Sequence, residues 1–552
     1  MSFKIGIAQV NSVLGDVQGN IELIKRKIIE AQAQAVGLLI FPEMVLTGYP
    51  LRDLIFRSQL LDQVTKGIEF LAPYAQNISV IVGTITAANK ERFPLTPFYN
   101  SAVILQNGTI KTLVHKRLLP NYDIFDERRY FAPGDNFDPI SCEKIPIGIE
   151  ICEDLWDDPY PMKVTPQLKQ NGAKFLVNIN ASPYHIGKPE LRDRVISSHA
   201  KVHNIPIIYV NLVGGQDEVV FDGRSVIVDE MGRVIFRAPA FEEGLFSFNF
   251  DWEHLGNSPE VPAKINQEED LFKALVLNLR DYYTKTGTFK GIILGMSGGV
   301  DSSFTAAVAC EAIGAENVTG LLLPSRFSSE HSINDALQLC QNLGCQSLIM
   351  PIKHIHSCYE QSIADTLGVV PFDVADENLQ ARIRGALLMY YSNKYNRLLV
   401  STGNKSEIAV GYCTLYGDTC GGKNVPGDLY KEQIYALCEY YNKIKERDII
   451  PRNVFLKAPS AELRANQKDT DSLPPFQELD AILFEMVENN LDVDAIVAKG
   501  ISNLATVKRV EQLYMMAEYK RAQLVQTIKV SPKTFGIGRR MPILNKYCTK
   551  ME

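Results

Sequence analysis

Short β-rich apolar runs alternate with amphipathic stretches along most of this chain. In the first half the runs include FKIGIAQV, VGLLIF, SVIVGTI, NSAVILQ, KIPIGIEIC, AKFLVNIN, IPIIYVNL and SVIVDE. Several are apolar almost throughout, as expected for strands that are covered on both faces. This alternation predicts a layered α/β domain over residues 1–250.

The second half begins after a polar segment with two prolines, 251–268, which indicates a linker. A helical stretch, EEDLFKALVLNLRDYYTKTG, comes next. Strand and helix patterns then alternate through GIILGMS, SSFTAAVACEAIG, NVTGLLLP, INDALQLCQNLG and SLIMPI. That order predicts a second domain, 269–552, with an open parallel sheet that binds ligands at the carboxyl ends of its strands.

Composition limits the classes of function. The chain has 552 residues, a net charge of −7 and no stretch dominated by Lys and Arg, which argues against a nucleic-acid-binding protein. No apolar run approaches the ~18 residues of a membrane span. The opening MSFKIGIAQV predicts a first strand rather than a signal peptide. Ten cysteines without a CxxC pair are expected to be reduced thiols in the cytoplasm.

The strongest local signal is GMSGGVDSS, which starts at Gly295 between an apolar strand and a helix. Small residues let backbone amides approach an anion, and a helix N-terminus favours negative charge, so we expect bound phosphates. The loop is not a Walker loop, because GxxxxGK[ST] is absent. Asp301 suits this position if its carboxylate binds magnesium. The alternative is an ordinary helix start.

This loop resembles the pyrophosphatase loop of ATP-dependent amide- and thio-transfer enzymes. ENLQARIRG, STGNKSEIAVGYCTLYGDTCGG, APSAELRANQKDTDSLPPF and EYKRAQ follow it in the chain. Together these segments resemble the synthetase domain of NAD synthetases over residues 269–552. The resemblance implies a Rossmann-like ATP pyrophosphatase domain. It also implies that ATP is cleaved to AMP and pyrophosphate while the substrate carbonyl is carried as an adenylate.

The same resemblance implies roles for individual residues. The ATP phosphates would be bound by Gly295, Met296, Ser297, Gly298, Gly299, Val300, Asp301 and Ser302, with Thr402 as a further ATP contact. Magnesium would be bound by Asp301 and Glu407, and deamido-NAD by Asn378, Glu407 and Lys520. Arg382 and Arg384 lie on a predicted helix, where they either serve the phosphates or face solvent.

Three polar residues of the first half each end a predicted strand, so one sheet edge could gather them. They are Glu43 after VGLLIFP, Lys116 after TLVH and Cys152 after PIGIEI. A cysteine nucleophile needs its thiolate and a group that passes a proton to the leaving nitrogen. Glu43 suits that role if burial raises its pKa, and Lys116 offers a cation beside the developing oxyanion. Alone, each residue is equally compatible with an ordinary structural role.

The segments around these residues resemble the nitrilase-like amidase family over residues 1–250: FPEMVLTGYP, HKRLLPNYDIFDERRYF, GIEICEDLW and NINASPYHIGK. The resemblance implies a four-layer α-β-β-α sandwich with Glu43, Lys116 and Cys152 as catalytic residues. In glutamine-hydrolysing members attached to NAD synthetases, the glutamine contacts match Tyr122, Ser182 and Lys188. Both resemblances imply a homo-oligomer.

Together the two halves predict an enzyme that frees ammonia from glutamine and uses ATP to amidate deamido-NAD. One alternative is another ATP-pyrophosphatase glutamine amidotransferase, such as one that aminates a purine nucleotide. It would lack the PSAELRANQKDTDSLPP segment. The other alternative is a non-catalytic nucleotide-binding protein, against which the intact Glu43, Lys116 and Cys152 argue.

Other candidate residues receive structural interpretations. His199 and His203 are four apart, as in some zinc sites, but they lack HExxH and lie in a predicted helix. His354 and His356 are predicted to lie in a loop after a strand. Asn107-Gly108 predicts a hairpin turn.

Overall fold

The computed structural model describes residues 2–142, 145–251, 253–262 and 264–547. The chain divides into two compact units, Met1–Asn266 and Gln267–Glu552. None of the helices in these described ranges is both long and apolar enough to cross a bilayer.

Unit 1 contains two six-stranded sheets, ordered β14-β1-β2-β3-β4-β5 and β13-β12-β9-β8-β7-β6, and a short β10-β11 ribbon. The strands are β1 Ser2–Gln9, β2 Leu38–Ile40, β3 Ser79–Ala87, β4 Phe98–Gln106, β5 Thr109–His115, β6 Ile140–Cys142, β7 Ile145–Ile151, β8 Phe175–Asn180, β9 Ile207–Asn211, β10 Val213–Gln216, β11 Val219–Asp222, β12 Val226–Val228, β13 Val234–Arg237 and β14 Gly244–Asp251. The helices are α1 Val17–Ala33, α2 Ser58–Leu71, α3 Val164–Gln170 and α4 Lys188–His203.

The core of unit 1 lies between its two sheets. Ile7 and Ile40 of the first sheet and Ile149 and Val177 of the second belong to one buried apolar cluster. A second cluster packs α3 and α4 on the outer face of the second sheet, while α1 and α2 pack together beside the first. The predicted α-β-β-α sandwich is therefore confirmed, because the strands are covered on both faces.

The hairpin turn predicted at Asn107-Gly108 is also confirmed. Both residues have positive φ, 53° and 76°, and the register pairs Gln106 with Thr109 across a two-residue turn. Asn-Gly is favoured there because its left-handed backbone matches the twist of the flanking strands. The turn fixes where β5 begins, and Lys116 directly follows the last residue of that strand.

Unit 2 is built on a five-stranded sheet in the order β17-β16-β15-β18-β19, with all neighbouring strands parallel. The strands are β15 Ile292–Gly295, β16 Val318–Leu322, β17 Gln346–Ile349, β18 Leu398–Ser401 and β19 Lys423–Asn424. The helices are α5 Gln267–Thr286, α6 Val300–Ile313, α7 Glu330–Leu343, α8 Lys353–Leu367, α9 Val374–Tyr395, α10 Lys405–Val410, α11 Lys431–Ile444, α12 Arg452–Leu456, α13 Phe476–Val487, α14 Val493–Ala498, α15 Leu504–Met516 and α16 Glu518–Arg521.

The predicted parallel sheet of unit 2 is confirmed, and its strand order locates a binding crevice. The chain runs from β15 outward to β16 and β17, then returns to β18 on the other side of β15. Open α/β sheets bind ligands at such a switch point, beyond the carboxyl ends of the strands. The loop after Gly295 leaves β15 at this point.

One expectation for unit 2 is wrong. His354 and His356 lie in α8 rather than in a loop, and His356 is buried. The apolar run predicted as a strand ends at Ile349, and the helix begins two residues after Pro351. Pro351 has no N–H to donate to a sheet, which favours the end of the strand before it. Burial lowers the pKa of His356, which keeps this imidazole neutral.

Candidate active sites

Glu43 and Lys116, which the sequence places at two strand ends, are directly hydrogen-bonded in unit 1. Lys116 Nζ donates to Glu43 Oε1 at 2.7 Å, and the Asn100 amide donates to the same oxygen at 2.7 Å. The other oxygen, Oε2, accepts from the backbone N–H of Ala181 at 2.8 Å. Glu43 and Lys116 are both fully buried. Every bond to Glu43 therefore fixes the direction in which its carboxylate points.

A second carboxylate, that of Glu127, completes the environment of Lys116. Lys116 Nζ donates to Glu127 Oε1 at 2.8 Å, and Tyr49 donates its hydroxyl proton to that oxygen at 3.0 Å. Burial works against the ammonium of Lys116, yet the two carboxylates raise its pKa well above its usual range. Sequence reasoning missed Glu127, although it lies within HKRLLPNYDIFDERRYF. It lies in a short 3₁₀ helix between strands, where no periodicity marks it.

Cys152 begins a short 3₁₀ helix, Cys152–Leu155, directly after β7. Its φ is 47°, in the left-handed region that side chains other than glycine rarely adopt. Asp154 fixes the turn, because its carboxylate accepts from the backbone N–H groups of Arg117 and Leu118 at 2.9 Å each. The loop after Lys116 and the turn that carries Cys152 are therefore tied together.

Burial raises the pKa of the Cys152 thiol well above its usual range, and the nearby charge of Glu43 raises it further. The cation of Lys116 acts in the opposite direction. Burial also raises the pKa of Glu127, to about 7. At neutral pH the thiol thus keeps its proton, and it needs a neighbouring base before it can act as a nucleophile.

The three candidate glutamine contacts lie around the Cys152 turn. Tyr122 is half exposed and donates its hydroxyl to Glu153 at 2.9 Å. Lys188 lies 4.0 Å above the Trp156 ring, and burial lowers its pKa. Ser182 directly follows the Ala181 amide that binds Glu43, and its own N–H donates to the Asn211 side chain at 2.9 Å.

Glu153, the residue after Cys152, was not predicted as a site residue. It accepts hydrogen bonds from the Tyr122 and Tyr160 hydroxyls, the latter at 2.9 Å. Burial raises the pKa of this carboxyl. The Glu153 carboxylate and the Lys188 cation therefore both lie near Cys152, a pairing that complements a zwitterionic ligand.

Unit 2 holds a cavity of about 450 Å³ beyond the carboxyl ends of its strands. The residues predicted to bind ATP, magnesium or deamido-NAD that line it are Gly295, Met296, Ser297, Gly299, Val300, Asp301, Ser302, Asn378, Thr402, Glu407 and Lys520. Gly298 is not among the lining residues. Its φ is 75°, and a Cβ there would lie 2.2 Å from the Ser332 carbonyl oxygen. Only glycine fits this turn, which directs the loop along the cavity.

The two candidate magnesium ligands face a common cation. Lys431 Nζ donates to Asp301 Oδ2 at 2.6 Å and lies 3.5 Å from Glu407 Oε1. Asn404 holds the other oxygen of Asp301 with a 3.0 Å hydrogen bond and caps α10 through the Glu407 backbone N–H. Burial raises the pKa of Glu407 to about 8. Burial opposes the Lys431 ammonium, but Asp301 and Glu407 raise its pKa above its usual range.

The helix with ENLQARIRG contributes one arginine to the cavity. Arg384 lines it and donates from Nε to the Leu323 carbonyl at 3.0 Å, whereas Arg382 is exposed and donates to the Leu415 carbonyl. Of the two alternatives for these residues, Arg384 is placed to serve the phosphates, whereas Arg382 faces solvent. Asn378 accepts a 2.7 Å hydrogen bond from the Thr414 hydroxyl. Lys520 donates to the Gly411 and Cys413 carbonyls at 2.7 Å each, which fixes its ammonium beside the cavity.

His199 and His203 lie in α4, as predicted, with ring centroids 5.7 Å apart. His199 also comes close to two carboxylates, Asp157 and Asp158. The Lys163 ammonium already donates to the backbone carbonyls of those two aspartates. Burial lowers the pKa of His199.

The comparisons with known proteins agree with this geometry. Residues 4–259 match the carbon-nitrogen hydrolase family, and residues 271–524 match the NAD synthase family. The glutamine-dependent NAD(+) synthetases of Synechocystis and Thermotoga maritima are 43% and 38% identical to this chain, and 99% of each chain is covered. The solved structure of the Acinetobacter baumannii glutamine-dependent NAD(+) synthetase, in complex with ADP, matches with a TM-score of 0.78, 36% identity and 99% coverage of both chains. This chain belongs to the family of glutamine-dependent NAD(+) synthetases.

Proposed function

We propose that unit 1 hydrolyses glutamine to glutamate and ammonia, and that unit 2 uses the ammonia to convert deamido-NAD to NAD. ATP is the co-substrate, and AMP and pyrophosphate are released. The observation that carries this proposal is the presence of both site geometries on one chain. Unit 1 has the buried Glu43–Lys116 pair beside Cys152, and unit 2 has a phosphate loop with Asp301 at a cavity.

In unit 1, Cys152 attacks the side-chain amide of glutamine. Because its thiol is protonated at rest, Glu43 accepts that proton and later delivers it to the departing ammonia. The ammonium of Lys116 stabilises the negative charge that develops on the carbonyl oxygen. Water then attacks the thioester, with Glu43 again as the base, and releases glutamate.

Glu127 is a positioning residue in this scheme. The Lys116 ammonium would otherwise have one anionic partner, and Glu127 supplies a second at 2.8 Å. This keeps Lys116 charged and restricts its direction, so that its charge is ready before the oxyanion forms.

The far end of glutamine carries an ammonium and a carboxylate. We propose that Lys188, Tyr122 and Ser182 bind the substrate at this end, with the Lys188 cation on the carboxylate. The half-exposed Tyr122 and the half-buried Lys188 both lie close to Glu153, the residue that follows Cys152. Ser182 follows the amide that orients Glu43, so substrate contact and base orientation share one segment.

In unit 2, the loop Gly295–Ser302 binds the ATP phosphates through its backbone amides and the N-terminus of α6. Thr402 is a further ATP contact, and Asn378, Glu407 and Lys520 bind deamido-NAD. The nicotinate carboxylate attacks the α-phosphate and pyrophosphate leaves. Ammonia then attacks the acyl adenylate. In these steps the protein mainly positions reactants and neutralises charge.

Asp301 and Glu407 are suited to hold Mg²⁺. They are two oxygen donors that face one point, where the Lys431 ammonium now compensates them. Mg²⁺ held there would neutralise the charge that develops on the leaving pyrophosphate. Lys431 was not predicted from the sequence, and its charge favours the ionised form of Glu407 against the effect of burial.

We also propose that the chain acts in the cytoplasm as a homo-oligomer, at least a dimer, with segment 251–268 joining a glutaminase domain to a synthetase domain. Two-fold assemblies are the commonest among soluble oligomers.

The proposed function is tested by incubating the full chain with ATP, glutamine and deamido-NAD and measuring NAD by enzymatic reduction. Glutamate release without NAD formation would contradict it. The alternative amidotransferase is tested by replacing deamido-NAD with a purine nucleotide.

A further inference from the structure

Two histidines of α4 that the proposed reaction does not use lie beside a pair of aspartates. His199 and His203 are four residues apart in this helix, and Asp157 and Asp158 lie in the loop that follows the Cys152 turn. One ligand atom from each of Asp157, Asp158 and His199 lies within 4.8 Å of the other two. Histidine nitrogens and carboxylate oxygens are ligands that Zn²⁺ takes in proteins.

His199 presents one ring nitrogen to this group. Its Nδ1 lies 3.3 Å from the Thr165 hydroxyl oxygen, and that hydroxyl donates its proton to Glu150 Oε1 at 2.7 Å. The Thr165 oxygen is therefore placed to accept a proton from Nδ1, which favours the tautomer with an unprotonated Nε2. Burial lowers the pKa of His199 and keeps the ring neutral at neutral pH. A hydrogen bond from the other ring nitrogen is typical of histidines that bind metals.

The Asp157 carboxylate faces the free nitrogen of His199. Asp157 Oδ2 accepts from the Val164 backbone N–H at 2.8 Å, which fixes the carboxylate, and Oδ1 lies 3.9 Å from His199 Nε2. Both residues are buried. Within the part of the chain that the structure describes, neither Asp157 Oδ1 nor His199 Nε2 has a hydrogen-bond partner. Two buried acceptors that face each other are unfavourable unless a cation lies between them.

The separation of these two atoms is close to what one Zn²⁺ ion requires. Zn²⁺ binds nitrogen at about 2.0–2.1 Å, so two tetrahedral ligands lie roughly 3.3–3.4 Å apart. From 3.9 Å, Asp157 Oδ1 and His199 Nε2 need to move by only about 0.3 Å each. The His203 ring is 5.7 Å from the His199 ring, centroid to centroid. Two histidines at this spacing on one helix face can bind the same zinc ion.

The charges around the group favour a divalent cation. The Lys163 ammonium donates to the backbone carbonyls of Asp157 and Asp158, at 2.8 and 3.0 Å. Among the described residues, no salt bridge joins Lys163 to either carboxylate, and the exposed Asp158 carboxylate accepts no hydrogen bond. Two carboxylates therefore remain available, and their charge matches that of one Zn²⁺ ion.

From this geometry we propose that Asp157, Asp158, His199 and His203 bind one Zn²⁺ ion in unit 1. The ion joins the loop after Cys152 to the end of α4. Its role is structural, because four protein ligands fill the tetrahedral positions of the ion and leave none for a substrate. Zn²⁺ is favoured over Mg²⁺ and Ca²⁺, which take oxygen ligands.

A second group of this kind among the described residues is less suited to a metal. It consists of Asp251, Glu253 and His254, of which none is buried. His254 Nδ1 lies 3.1 Å from Asp251 Oδ2, so this histidine and aspartate already form a hydrogen bond. They need no ion to satisfy them, in contrast to Asp157 and His199.

The proposed ion also bears on the contact between Trp156 and Lys188. Trp156 directly precedes Asp157, Lys188 begins α4, and the Lys188 ammonium lies 4.0 Å from the centre of the Trp156 ring. Because the ion joins the two segments that carry these residues, its loss should raise KM for glutamine more than it lowers kcat. This consequence rests on the proposed glutamine contact of Lys188, whereas zinc binding itself does not.

The test uses the full chain, freed of metal with EDTA, kept reduced with a phosphine and titrated with Zn²⁺ in excess Mg²⁺. The excess Mg²⁺ competes for the site proposed at Asp301 and Glu407. Calorimetry should show one Zn²⁺ bound per chain. X-ray absorption should show nitrogen and oxygen ligands at about 2.0–2.1 Å and no sulfur at about 2.3 Å. A chain that binds no Zn²⁺, or binds it through sulfur, would overturn the proposal.

The variant that tests the site most directly is Asp158→Asn, because it removes an exposed carboxylate that accepts no hydrogen bond among the described residues. It should weaken Zn²⁺ binding by at least ~10-fold, since loss of even a residue that only supports a ligand commonly costs ~10–100-fold. His203→Gln, at a half-buried position, should have the same effect. Asp62→Asn, which removes an exposed carboxylate of α2, is the matched control and should bind Zn²⁺ as the unmodified chain does.

Equal Zn²⁺ affinity in Asp158→Asn and Asp62→Asn would refute the assigned ligands. Glutamate release without ATP, measured in the same two variants, gives KM and kcat for glutamine. An unchanged KM in a variant that has lost Zn²⁺ would refute only the effect on glutamine binding. Absence of glutamate release from the unmodified chain would instead contradict the proposed function, and calorimetry would still decide whether the zinc site exists.

Discussion

Lys431 Nζ lies 2.6 Å from Asp301 Oδ2, so the aspartate of the loop proposed to bind phosphates is held by the first residue of α11. The Lys431 side chain is 4% exposed, and the Asp301 side chain is 17% exposed. A buried ion pair that loses one partner leaves an uncompensated charge, which is strongly unfavourable. Removal of the Asp301 charge would therefore leave the Lys431 ammonium of unit 2 without its nearest partner.

Asp301→Asn should reduce NAD formation by more than ~10²-fold with either nitrogen donor, because one electrostatic partner of the leaving pyrophosphate is lost. Basal glutamate release should persist, since it depends on unit 1. The measurement is NAD formed from glutamine and from ammonium, beside pyrophosphate release. Normal pyrophosphate turnover in the variant would contradict the role given to Asp301.

Cys152→Ala should abolish glutamine-driven NAD synthesis and retain synthesis from ammonium salts. Cys152, the proposed nucleophile, belongs to unit 1, whereas the loop proposed to bind phosphates belongs to unit 2. Parallel assays with the two nitrogen donors check this, with circular dichroism as the control for folding. Equal loss with both donors in a folded variant would show that Cys152 has another role.

Glu127→Gln should lower glutaminase activity by ~10²-fold, as expected when one charge that supports oxyanion stabilisation is removed. Burial raises the pKa of Glu127 to about 7. Its ionised form pairs with Lys116, so kcat/KM of the unmodified chain should rise as the pH passes about 7. The variant should lack that inflection. A variant with lower activity but the same pH profile would point to a purely structural role.

Glu150, buried in β7 two residues before Cys152, should make the stability of unit 1 depend on pH. It accepts a 2.7 Å hydrogen bond from Thr165, and burial raises its pKa to about 8. The folded state thus binds this proton more tightly than the unfolded chain does. The resulting stability is present at low pH and is lost as the pH rises from the ordinary glutamate range through about 8. A tenfold difference in proton affinity between the folded and unfolded states corresponds to about 1.4 kcal/mol of stability.

Glu150→Gln should therefore flatten the decline of the unfolding temperature between about pH 5 and about pH 9. Calorimetry of the variant and of Glu22→Gln, which changes an exposed glutamate on α1, provides the comparison. The Glu22 variant should follow the unmodified chain. If the Glu150 variant shows the same decline, another group is responsible.

Synthetase ligands should stimulate the glutaminase, and the chain should be at least a dimer. Uncoupled hydrolysis by Cys152 would waste glutamine, so a coupling free energy between the sites is expected, typically ~1–3 kcal/mol. Light scattering gives the mass, for comparison with the 61.7 kDa chain. Glutamate release is timed with and without ATP plus deamido-NAD. A monomer would refute the assembly, and an unchanged rate would refute the coupling.

The sequence predicted the layers and sheets well because buried strands leave apolar runs that need no tertiary information. Residues at the ends of those runs, such as Glu43 and Lys116, could be located for the same reason. Glu127 and Lys431 could not, since neither ends an apolar run: Glu127 begins a short 3₁₀ helix, and Lys431 begins α11. Lys431 is the first residue of α11, where the helix dipole disfavours a cation. Once the helix boundary is known, that conflict indicates a functional residue.

The bond from the Ala181 amide to Glu43 joins the two sheets of unit 1, since Glu43 follows β2 of one sheet and Ala181 follows β8 of the other. Neither sheet alone therefore contains a working glutaminase. Heating that separates the two sheets from each other should abolish hydrolysis before the individual strands unfold. The rate of glutamine hydrolysis measured against temperature therefore reports whether the two sheets are still correctly aligned. An enzyme whose site lies on a single sheet would not give this information.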